Sequence, residues 1–99
     1  MAENEVIGIA KEYAEKVRRI MDAKAVILFG SHAKGTATKD SDIDIAVIVD
    51  GLDTDYLAAV SKLWSLTRDV NDEIEPVLLL ANDTDSGFLQ TVQSTGIAV

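Results

Sequence analysis

Between Glu3 and Asp22 the apolar residues Val6, Ile9, Tyr13, Val17 and Ile20 recur at three- and four-residue spacing, with charged residues between them. That period matches one face of a helix and predicts an amphipathic helix across the segment. The period then breaks. Ala25–Phe29 is a continuous apolar run closed by Gly30, which reads as a buried strand. From Ser31 to Ser41 the residues are small and polar, with Gly35 among them, and predict a loop with or without one helical turn. Strand character returns from Asp42 to Val49 and stops at the turn pair Asp50-Gly51.

Asp53 and Thr54 are candidate N-caps for a second long helix, whose stripe would be Leu57, Val60, Leu63, Trp64 and Val70. Ile74 to Ala81 reads as a third strand. Pro76 within it cannot donate to a ladder, which predicts an edge position or a strand start. A turn is expected over Asn82–Gly87 and a short helix around Phe88, Leu89 and Val92. Gly96–Val99 either opens a last strand or frays. Helical spacing assigns Tyr13 and Trp64 to the core and leaves Tyr56 at the surface. The order α-β-β-α-β-α gives an α/β (α+β) fold, a small mixed sheet with helices packed on it.

Composition narrows the class. At 99 residues, with 47% apolar and no repeat or linker, the sequence predicts one domain over residues 1–99 with a single core. There is no cysteine, which removes disulfides, thiolate zinc sites and a cysteine nucleophile. The start, Met-Ala-Glu-Asn-Glu, is acidic where a secretory signal is basic, and no apolar run approaches the ~18 residues of a membrane span. A soluble cytoplasmic protein is expected. The formal charge of −8 disfavours direct nucleic-acid binding, which needs a basic face. Its simplest role is solubility.

The chemistry concentrates in one stretch. Gly30 follows a buried strand, where glycine permits a tight bend and close ligand approach, and Ser31 adds a hydroxyl and an N–H suited to phosphate oxygens. Downstream, Asp42 and Asp44 alternate with Ile43 and Ile45. The isoleucines take the core face and both carboxylates the other. Such a pair either decorates a wet sheet face or holds Mg²⁺, which takes hard oxygen ligands and completes its shell with water and substrate phosphates. Other motifs fail. Lys34 precedes Gly35 where a P-loop has lysine after glycine. Ile45 and Gly51 stand where a calcium loop has glycine and glutamate, and His32 is the only histidine.

Gly-Ser, ten residues, then Asp-x-Asp on two successive strands resembles the signature of the nucleotidyltransferase superfamily related to DNA polymerase beta. The wording GSHAKGTATKDSDIDIAV is similar to its smallest branch, the minimal nucleotidyltransferases (MNT). The resemblance is close over residues 29–49 and loose over the rest. It implies a nucleotidyltransferase fold and transfer of a nucleoside monophosphate, AMP from ATP or another NTP, to a hydroxyl. Gly30 and Ser31 would hold the triphosphate. Asp42 and Asp44 would bind two Mg²⁺ ions, with Mn²⁺ as a substitute. The third catalytic and metal-binding carboxylate would come from Glu73 or Glu75, with Glu75 favoured because it directly precedes the apolar run. Lys34 and Lys39 are candidate phosphate contacts. His32 stands where many relatives carry arginine and is read as a loop residue.

The resemblance further implies a helical HEPN toxin as partner and acceptor, with this chain as its antitoxin. Two alternatives stay open: an antitoxin that neutralises HEPN by contact alone, and a subunit that modifies a small molecule of the aminoglycoside type.

Overall fold

The computed structural model describes residues 2–83 and 87–99. Helix α1 spans Glu3–Ile20, strand β1 Ala25–Phe29, the one-turn helix α2 Ser31–Lys34 and strand β2 Ile43–Val49. Helix α3 spans Tyr56–Thr67, strand β3 Ile74–Leu80, helix α4 Phe88–Thr95 and strand β4 Ile97–Ala98. The helical turn and the last strand that the sequence left open both form. The turn expected over Asn82–Gly87 includes residues 84–86, which lie outside the described residues.

The strands form one mixed sheet in the order β3-β2-β1-β4. β1 pairs antiparallel with β2 and β4, while β2 and β3 run parallel, as a crossover through α3 requires. Alternation along β2 divides the core. Ile43, Ile45, Val47 and Val49 face one side, with Val6, Ala10, Tyr13, Ala14 and Val17 of α1 and Ala59 and Leu63 of α3. Ala46 and Ile48 face the other, with Ile27 of β1 and Leu89 and Val92 of α4. Buried Tyr13 ties two helices together, its hydroxyl donating to the Leu63 carbonyl at 2.8 Å. At Gly96 the chain passes from α4 into β4 with no space for a side chain. A Cβ there would stand 2.6 Å from the Val92 oxygen and 2.9 Å from that of Leu28.

Two expectations need correction. The cap of α3 is Asp55, not Asp53 or Thr54: its Oδ1 accepts from the Ala58 N–H at 2.9 Å. The cap oxygen bonds the third residue of the helix, and only Asp55 stands three before Ala58. Trp64 is not in the core but 45% exposed, and Leu57 is 75% exposed. α3 docks through Ala59, Leu63 and Thr67, and Trp64 lies about 100° round the helix from Leu63.

Pro76 sits on an edge strand, as expected. The bonds Ile43 N–H to Glu73 O and Ala81 N–H to Val49 O, both 2.8 Å, fix which backbone groups of β3 point at β2. By alternation, Pro76 and Leu78 turn theirs outward. Pro76 has no N–H to offer there, and the Leu78 carbonyl accepts from the Tyr56 hydroxyl at 3.0 Å. The edge is therefore blunted at two successive outward-facing positions.

Tyr13→Phe removes the buried hydrogen bond without changing shape. It should cost about 1 kcal/mol, seen as a thermal midpoint lower by roughly 4–8 °C for a domain of this size.

Candidate active site

β1 delivers the chain to Gly30, whose φ of 75° and ψ of −151° suit glycine and strain other residues. A one-turn helix follows, opened by Ser31 and closed by Gly35 in the left-handed region (φ 74°). Gly30 is required for a second reason: a Cβ there would run into Oδ2 of Asp44. The bend and the aspartate pack directly against each other.

The register completes the group. Asp44 stands opposite Phe29 of β1 and opposite Glu75 of β3, so all three share a sheet face. Asp42 lies just before β2 and is exposed. Glu75 is raised above the usual carboxylate range by desolvation first, then by the charges of Asp42 and Asp44 and a side-chain hydrogen bond with Asp42. Asp44 is raised by desolvation and by Asp42, and lowered by nearby His32. Three carboxylates thus feel one another. Among the described residues the salt bridges are Arg19–Glu15 and Lys24–Asp50, neither involving this group.

Among the described residues no three acidic or histidine side chains close into a ready-made metal cage. The carboxylates form an open array instead. A cleft of about 420 Å³, lined by Ile20–Asp22, Val49–Thr54, Ala59 and Lys62, lies at the far end of β2.

The family described as Polymerase beta, Nucleotidyltransferase matches residues 9–99. The chain belongs to that family. This nucleotidyltransferase is 29% identical over 101 residues to a Methanocaldococcus jannaschii protein that carries the name of a protein adenylyltransferase, covering 96% of this chain and 99% of that one. A crystal structure named for a nucleotidyltransferase from Sulfolobus solfataricus superposes with a TM-score of 0.68 at 20% identity, over 97% of this chain and 80% of the other. That likeness concerns the fold. A toxin–antitoxin crystallised with AMP-PNP superposes with a TM-score of 0.60 at 25% identity, over 99% of this chain and 72% of the other.

The residues singled out in the nucleotidyltransferase sequence divide into two groups. Gly30, Asp42, Asp44 and Glu75 come together, with Ser31 adjoining through the bend. Glu75 is the one of the two glutamates whose backbone pairs with Asp44. Glu73 precedes the strand, its N–H donating to Asn71 Oδ1 at 2.8 Å. Lys34 and Lys39 are exposed on α2 and the loop beyond it. His32 belongs to α2 rather than to a loop, with Nε2 3.4 Å from the Ser41 carbonyl oxygen. Sequence reasoning missed the Thr38–Ser41 turn. Its signal was present as two hydroxyl residues three apart, a spacing that favours local side-chain-to-backbone bonds.

Gly30→Ala should cost roughly 1–3 kcal/mol from backbone strain and displacement of Asp44, measured by urea unfolding. A second prediction follows from the raised carboxyls. The stability they contribute is fully present below the ordinary carboxylate pKa and is lost as pH rises through their raised folded-state values. Asp44→Asn should therefore melt above wild type at pH 7 without divalent cations. The gap should close as the buffer is taken below about pH 4, where the wild-type acids are protonated.

Proposed function

We propose that this nucleotidyltransferase moves AMP from ATP to a hydroxyl on a partner protein, with Asp42, Asp44 and Glu75 as its catalytic, Mg²⁺-binding carboxylates. The observation that carries the reading is the packing of Asp44 against Gly30. A phosphate-sized bend and a carboxylate array are built as one unit, where a decorative acidic pair would stand apart from it.

The donor set suits the cation. Hard oxygens in an open array, without a lysine or arginine salt bridge, match the way Mg²⁺ binds through a few carboxylates plus water and phosphate. When bound, Mg²⁺ supplies charge neutralisation and Lewis acidity at the phosphates. The chain does the rest. Gly30 and Ser31 hold phosphate oxygens through backbone N–H groups and the Ser31 hydroxyl, and Lys34 adds a point charge. Glu75, on the edge strand of the array, takes the acceptor proton. The acceptor oxygen bonds to the α-phosphorus, the bond from that phosphorus to the bridging oxygen breaks, and pyrophosphate leaves.

An acceptor on a helical HEPN toxin is supported by the MNT-like motif, by the adenylyltransferase name of the relative and by the AMP-PNP-bound toxin–antitoxin neighbour. A cytoplasmic setting suits the reaction, because ATP and Mg²⁺ are available there. With Mg²⁺, HEPN partner and ATP labelled at either phosphate, label should stay on protein from the α position and not from the γ. Asp42→Asn with Asp44→Asn should cut incorporation at least ~100-fold while the fold persists. A tight complex with no label from either position would leave a contact-only antitoxin as the correct account.

A further inference from the structure

Asp44 and Asp42 are held by different means. Asp44 lies within β2, and pairing on both sides fixes its backbone. Asp42 lies outside the strand, at the end of a polar, exposed segment from Gly35. Its carboxylate meets Glu75 in a side-chain hydrogen bond, while the like charges of Asp44 and Glu75 push it away from the array. Something other than the sheet must resist that push.

The hydrogen bonds around residues 38–41 supply it. The Thr38 N–H donates to Ser41 Oγ at 2.9 Å, and the Ser41 N–H donates back to the Thr38 carbonyl at 3.1 Å. The hydroxyls lie 3.4 Å apart, and the Asp40 N–H reaches Thr38 Oγ1 at 3.3 Å. These bonds close residues 38–41 into a ring, and His32 Nε2 approaches the Ser41 carbonyl from α2 at 3.4 Å. On the other side of Asp42, the Ile43 N–H donates to Glu73 O at 2.8 Å. Asp42 is thus a single residue held between two anchors.

We infer that Thr38 and Ser41 are positioning residues. Their reciprocal clasp holds Asp42 against the repulsion of its neighbours and so sets the divalent-cation affinity of the site. This rests on the nucleotidyl-transfer reading above. Without the clasp the segment is free to swing and Asp42 moves away from Asp44 and Glu75. Local fold stability depends little on it, because the segment is exposed and packs no core residue.

Ser41→Ala, Thr38→Val and the conservative Ser41→Thr separate this role from a structural one. Mn²⁺ binding, followed by the electron paramagnetic resonance signal of the free ion, should weaken about 10-fold in Ser41→Ala, which removes the acceptor of the Thr38 N–H, and by less in Thr38→Val, which keeps both backbone bonds of the clasp. Ser41→Thr, which keeps the hydroxyl, should restore it. In transfer assays the Mg²⁺ concentration for half-maximal rate should rise by a similar factor. KM for ATP at saturating Mg²⁺ should stay at the wild-type value, as should the metal-free melting midpoint. Wild-type Mn²⁺ affinity in both hydroxyl-removing variants, alongside its loss in Asp42→Asn, would overturn the inference and leave the transfer reading intact. Absence of Mn²⁺ binding by the wild-type chain with ATP present would overturn both.

Discussion

Everything at the functional end of this molecule depends on holding three like charges together. Asp42, Asp44 and Glu75 repel one another, yet the pairing of β2 with β3 leaves Asp44 and Glu75 no other place. The same strand that carries the repulsion supplies the force that overcomes it. Ile43, Ile45, Val47 and Val49 are at most 1% exposed, and burying such side chains is worth roughly 1.5–3 kcal/mol each. A pair of charges near 4 Å costs about 1–4 kcal/mol at the dielectric of a protein surface. Four buried aliphatic residues on one face are thus of the size needed to offset the three pairs of acids on the other. The alternation that looks contradictory in the sequence is the means by which a hydrophobic core holds a cluster of charge.

Gly30 extends this coupling to the bend that follows β1. Because the Asp44 carboxylate occupies the space a Cβ would need, a shift of β2 along β1 would separate bend and acids together. The antiparallel pairing of Phe29 with Asp44 thus sets the distance between the bend and the carboxylates. Membership of the polymerase beta nucleotidyltransferase family is consistent with this economy. Such chemistry asks for positioned charge more than for a nucleophilic side chain.

What could be read from the sequence was whatever local periodicity decides. Val6, Tyr13 and Val17 announced the buried face of α1, and Ile43 and Ile45 announced the face of β2. The Gly-Ser bend and both aspartates were legible for the same reason: strand alternation is a property of the chain itself. What was missed depends on docking. Trp64 and Leu63 are neighbours in an apolar run, and only the packing of α3 on β3 and α1 decides which turns inward. Asp53, Thr54 and Asp55 are all competent caps. The choice falls on the residue where the crossover to α3 allows the first turn. β4, two residues long, exists only because Gly96 lets the chain lie against β1. Glu75 was preferred to Glu73 for its proximity to the apolar run, and the strand register stands Glu75, not Glu73, opposite Asp44.

The outer margin of β3 governs how this molecule meets others. Main-chain hydrogen bonding does not distinguish one sequence from another, so an open strand margin accepts many chains, including copies of its own. With Pro76 lacking a donor and the Leu78 acceptor satisfied by Tyr56, that indiscriminate route is interrupted at two successive outward-facing positions. Recognition falls to side chains, which do discriminate. Selectivity for a companion thus begins with a refusal built into the sheet.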